Sequence, residues 1–106
     1  MSVSKTYVKS KNIFKVTFRV PKEASLNATS IMLVGDFNNW DEKSHPMKQT
    51  KNGDFSITVE LPSGKEFQYR FLYDDKHWEN DWEAEYYVAT EFPGTENSAI
   101  KTLIEE

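Results

Sequence analysis

Three runs of this chain alternate between apolar and polar residues, and that alternation commits them to strands. In Ile13–Val20, "IFKVTFRV", Phe14, Val16, Phe18 and Val20 share one face, and Lys15, Thr17 and Arg19 take the other. A period of two marks a strand half-buried against a core. Asp54–Leu61 repeats it, with Phe55, Ile57, Val59 and Leu61 on one side. Glu66–Tyr73 repeats it again: Phe67, Tyr69, Phe71 and Tyr73 point inward, and Gln68, Arg70 and Leu72 outward. Ser30–Phe37, "SIMLVGDF", is more continuously apolar, as a central strand requires.

Turn chemistry separates these runs. Pro21 ends the first, and residues 21–30 read as a loop. Asn52-Gly53 suits the positive φ values of a type I′ hairpin turn. Pro62–Lys65 is a second turn, and Asp74–Trp78 a third that leads into a short strand. Glu85–Thr90 and Ser98–Ile104 are further strands, joined by the Pro-Gly loop Glu91–Ser98. Glu79–Tyr87 reads two ways. Asn80 and Glu83 resemble a capping box, and Trp82 and Tyr86 lie four apart, which suits a short helix; an irregular loop is the alternative. About seven strands with turn signals between them predict an all-β chain, an immunoglobulin-like β-sandwich of antiparallel strands. Residues 1–106 form one domain, with a core between about residues 12 and 104.

Charge and composition narrow the chemistry. A net charge of −4 argues against nucleic acid as a partner, because that binding needs a basic surface. There is no cysteine, which removes disulfides, thiolate metal sites and a cysteine nucleophile. No stretch has the length of a membrane span or a signal peptide, so the expected location is cytoplasmic, with no membrane partner. In that compartment the sequon Asn27-Ala28-Thr29 carries no glycan.

Carboxylates crowd at Asp74, Asp75, Glu79, Asp81, Glu83 and Glu85. A pair of them at the right separation could hydrolyse a glycosidic bond, but a charge run is more simply a solvated loop. The same acids lack the order and central glycine of an EF-hand, and His45 and His77 stand alone, so no metal and no cofactor is expected.

Aromatics remain, with seven Phe, five Tyr and three Trp. A sugar ring has apolar C–H faces and a rim of hydroxyls. An aromatic face meets the former, and nearby amide, hydroxyl or basic side chains bond the latter. Trp40 and Trp78 both follow turn-forming residues instead of occupying inward strand positions, and Arg70 lies on an outward face. Thr95 and Asn97 sit in the Pro-Gly loop. Residue type alone leaves each Trp open to a core role or a ligand role.

The stretch from "LVGDFNNWDEKSHPM" through "NGDF", "YRF" and "DDKHWENDWEA" to "FPGTENS" resembles the family 48 carbohydrate-binding modules. Those include the early-set N-terminal domains of isoamylases, pullulanases and glycogen branching enzymes, and the glycogen-binding domain of the AMP-activated protein kinase β subunit. The resemblance runs from about Phe14 to Leu103. It implies an immunoglobulin-like sandwich and non-catalytic binding of α-1,4-linked glucan such as glycogen or starch. By position it implies that Trp40 and Trp78 are platforms and that Arg70 takes the place of a basic residue that is usually lysine. Thr95 and Asn97 supply the terminal-loop hydroxyl and amide. Pro93 stands where kinase-type domains have a leucine that reaches into the glucan. An alternative function is a protein-interaction module that docks onto a separate glucan-metabolising enzyme through the acidic loop and exposed strand edges.

Overall fold

The alternating runs assemble into two antiparallel sheets that bury their apolar faces against each other. A computed structural model describes residues 2–104. Its strands are β1 (Ser2–Val8), β2 (Ile13–Val20), β3 (Ile31–Gly35), β4 (Lys48–Gln49), β5 (Phe55–Pro62), β6 (Glu66–Tyr73), β7 (His77–Glu79), β8 (Tyr86–Ala89) and β9 (Glu96–Lys101). One sheet has the order β1-β2-β5-β4 and the other β3-β6-β9-β8, with β7 also pairing β6. The fold is an all-β sandwich. Short 3₁₀ turns lie at Lys22–Ala24 and Asp36–Asn38.

The inward residues of β2, β5 and β6 make the core. Val16, Phe18, Val20, Phe55, Tyr69 and Phe71 are buried, with Ile31 and Leu33 from β3 and Ile100 from β9. Phe18 meets Tyr69 edge-on at 4.8 Å between ring centres, an arrangement the ring quadrupoles favour. Phe37 is half-buried and packs against the core beside Phe18 and Phe67.

Several expectations are corrected. The sandwich has two strands more than the alternation revealed. Ser2–Val8 pairs with β2 from Ile13 to Arg19 although only its Val3 and Tyr7 pack against the core, and Lys48–Gln49 is a two-residue edge strand too short to show a period. Of the two readings of Glu79–Tyr87 the irregular loop is the one observed, with no helix at residues 80–85. The Asn80 side chain reaches instead to β9, accepting from the Ser98 N–H and donating to the Glu96 carbonyl. Leu72 points outward, as its position in β6 requires, yet is buried, because β7 pairs there and sets Trp78 opposite it.

The turns also exchange roles. At Lys51–Asp54 only Gly53 has positive φ, and its N–H bonds the Thr50 carbonyl, so the hairpin is not a two-residue type I′ turn. Paired positive φ values, 52° and 59°, appear instead at Asp74-Asp75, in the three-residue loop between Tyr73 and His77, where the Lys76 N–H donates to the Tyr73 carbonyl as in a type I′ turn. Aspartate tolerates the left-handed region better than most residues. Here the Asp74 carboxylate also accepts the Thr29 and Ser30 N–H groups and the Thr29 hydroxyl.

Candidate functional site: an aromatic cleft at the partner change of β6

Strand β6 changes neighbours partway along one edge. Glu66–Tyr69 pair with β9, and Phe71–Tyr73 pair with β7. Arg70 falls between, on the outward face, with Val34 of β3 beside it. Trp78 shares that outward face through its pairing with Leu72. Trp40 arrives from the turn after β3, and Asn97 from the start of β9. Arg70, Trp40, Trp78, Thr95 and Asn97 therefore line one cleft of about 510 Å³.

Trp40 is held in an unusual way. Asn39 and Trp40 both have positive φ, 55° and 59°. A bulky side chain in that region is rare and costs roughly 1–3 kcal/mol. The Trp40 N–H bonds the Gly35 carbonyl at 2.9 Å, and its indole N–H donates to Asp36 Oδ1 at 3.0 Å. Asp36 Oδ2 accepts the Gln68 N–H, so one carboxylate ties the Trp40 ring to β6. Asn38 stitches the same turn, accepting from the Gly35 N–H and donating to the Leu33 carbonyl. Gly35 is required here: a Cβ would lie 2.5 Å from the Gln68 carbonyl oxygen.

The floor of the cleft is rich in donors. Arg70 Nε donates to Asn97 Oδ1 at 2.6 Å, and Arg70 Nη2 to the Glu96 carbonyl at 2.7 Å. A guanidinium has five N–H groups, so roughly three remain for a ligand. Asn97 Nδ2 donates to Gln68 Oε1, which leaves about one of its protons unused. Thr95 is engaged in its own loop, donating to the Phe92 carbonyl and pairing with the Thr90 hydroxyl.

Pro93 is exposed in the same loop but is not among the residues that line the cleft. Its neighbour Phe92 is, together with Thr90 and Glu91. These three escaped the sequence reading. The signal was present as a Phe directly before a Pro-Gly pair, where no strand face calls for an aromatic.

Most of the acidic segment is the solvated loop its composition suggests, with Asp74, Asp75, Glu83 and Glu85 exposed, and Asp81 is the exception. Asp81 is fully buried and accepts the Tyr69 hydroxyl at 2.8 Å. Burial first, and then the Asp81 charge, hold the Tyr69 phenol far above its ordinary range. Asp81 also takes the Glu83 N–H, and its carbonyl accepts the Tyr87 hydroxyl. Glu79 accepts the Trp82 indole N–H and bonds His77. Glu91 is the one carboxylate among the described residues that line the cleft.

Comparison with known proteins points the same way as this geometry. The family described as the glycogen recognition site of AMP-activated protein kinase matches residues 22–103. A 1,4-alpha-glucan-branching enzyme of Saccharomyces cerevisiae is 51% identical over 45 residues, covering 41% of this chain and 6% of the enzyme. One from Lactobacillus acidophilus is 51% identical over 57 residues, 53% of this chain and 8% of the enzyme. One from a Synechococcus strain is 36% identical over 52 residues, 48% of this chain and 7% of the enzyme. The chain thus spans less than a tenth of the length of these relatives.

Proposed function

The chain belongs to the family of the AMP-activated protein kinase glycogen recognition site, and from that premise we propose a non-catalytic module that holds α-1,4-linked glucan in the Trp40–Trp78 cleft. The observation that carries the proposal is the convergence of two tryptophans on a floor of Arg70 and Asn97 with unused donors. The indole faces cover the C–H faces of glucosyl rings and withdraw them from water. Arg70 and Asn97 bond the hydroxyls. Thr95 shapes the loop and offers an acceptor, and Pro93 shortens the loop's range of conformations.

Catalysis is not part of this role. Glycoside hydrolysis needs two carboxyl groups across the scissile bond, and among the described residues that line the cleft Glu91 is the one carboxylate. An open cleft buries modest area and must offset the lost freedom of the oligosaccharide, so Kd falls in the micromolar to millimolar range, roughly.

Titration with maltoheptaose followed by amide NMR is the test. Shifts centred on Trp40, Arg70, Trp78 and Asn97, lost in Trp40→Ala and Trp78→Ala with the fold intact, support the proposal. A spectrum that glucan leaves unmoved defeats it.

A second reading starts from the relatives, in which the matching stretch is a small part of a long enzyme chain. A module of this kind could dock onto a separate glucan-metabolising enzyme. Protein partners retained on immobilised protein after amylase treatment support docking; partners released by amylase were bridged by glucan.

A further inference from the structure

We infer that Phe92 is a third aromatic wall of the cleft and that it makes the site selective for glucan length. This rests on the glucan reading above and deepens it.

Phe92 is 72% exposed, the most exposed large apolar side chain among the described residues. An isolated exposed phenylalanine would need no explanation, but this one lines the same cleft as Trp40 and Trp78. The three rings come from three separate segments: the turn after β3, strand β7 and the loop between β8 and β9.

The loop that carries Phe92 is built to hold it out. Its N–H donates to Thr90 Oγ1 at 3.2 Å, and its carbonyl accepts the Thr95 N–H at 3.1 Å and the Thr95 hydroxyl at 2.7 Å. The Thr90 N–H donates to the Thr95 carbonyl, which closes the loop at its base. Gly94 supplies the positive φ, 81°, that the tight return needs. Below it, Arg70 and Asn80 both donate to the Glu96 carbonyl. Both polar backbone groups of Phe92 are thus spent inside the loop, and its exposed side chain lines the cleft.

Cleft volume turns this into a statement about ligand length. About 510 Å³ lies within the range of ligand sites, and its three aromatic walls stand on separate segments of the chain. A disaccharide covers part of such a surface. Only a longer chain reaches rings carried on three segments at once, and each further aromatic face covered withdraws more apolar area from water.

The experiment compares the affinities of the wild type and Phe92→Ala for maltose and maltoheptaose, by NMR titration with matched spectra. In the wild type the longer sugar binds more tightly. In Phe92→Ala the ratio of the two affinities falls by about tenfold, the order expected for losing one aromatic face. Phe92→Leu restores part of the ratio. A ratio unchanged in Phe92→Ala overturns the inference, even if both affinities drop. If the wild type binds neither sugar, the glucan reading itself fails, before Phe92 is at issue. Amide positions outside residues 88–98 report that the fold is intact.

Discussion

Replacing Tyr69 by phenylalanine tests the polar knot beneath the cleft. The substitution removes one oxygen and leaves the ring between Phe18 and Phe71. The loss falls on Asp81, whose Oδ2 accepts the Tyr69 hydroxyl at 2.8 Å in a site with no solvent exposure. Water cannot replace the donor without opening the sandwich. A hydrogen bond to a charged group contributes about 1.5–3 kcal/mol, and leaving a buried acceptor bare costs a similar amount, so the expected destabilisation is about 2 kcal/mol. For a domain of this size that lowers Tm by about 8–16 °C. Urea denaturation should show an earlier midpoint with an unchanged slope, because the area exposed on unfolding is the same. Combining Tyr69→Phe with Asp81→Asn, which removes the bare charge, should cost less than the sum of the single changes. A Tm for Tyr69→Phe within about 2 °C of wild type would refute the reasoning, since it would mean that Asp81 does not depend on this donor.

Three further outcomes are expected. Gly35→Ala should destabilise by roughly 1–3 kcal/mol, because the new Cβ presses on the β6 backbone at Gln68, and an unchanged urea midpoint would contradict this. Asp75→Gly should raise stability by about 0.5 kcal/mol, since Asp75 occupies the second left-handed position of a type I′ turn where glycine is unstrained; a lower Tm would count against that turn. Asp54 is held below its ordinary range by the Lys22 N–H and by Arg19, and Asp74 by the Thr29 hydroxyl and the Thr29 and Ser30 N–H groups. A depressed carboxyl contributes stability that is present above the unfolded value of 3.8 and is lost as pH falls through the folded value below it. Urea midpoints should therefore drop more steeply below pH 4 in wild type than in Asp54→Asn and Asp74→Asn, and equal slopes would speak against these bonds.

The residues that alternate carried their fold in the sequence. Phe14, Val16, Phe18 and Val20 of β2 declare an inward face without reference to any other segment, because period two is a property of the strand itself. The aligned motifs around Gly35, Trp40, Arg70 and Trp78 likewise identified the family. What alternation cannot carry is the partner of each strand. Ser2–Val8 was invisible because an edge strand takes its hydrogen bonds from β2 and needs little apolar sequence of its own. Asp81 read as solvated because its burial depends on Tyr69 and Ser98, which come from other strands.

Trp40 marks the boundary between the two kinds of information. The sequence placed it at the tip of a turn rich in asparagine, outside any strand period, and left its direction open. Only the tertiary structure set its backbone left-handed, tied its indole to Asp36, and brought it to the cleft of Trp78, Arg70 and Asn97. That convergence exists because β6 exchanges β9 for β7 at Arg70. A partner change between strands is a long-range event, decided by packing of the whole sandwich and written in no single stretch of residues. Phe92 entered the site by the same route, through a loop whose position follows from where β9 begins.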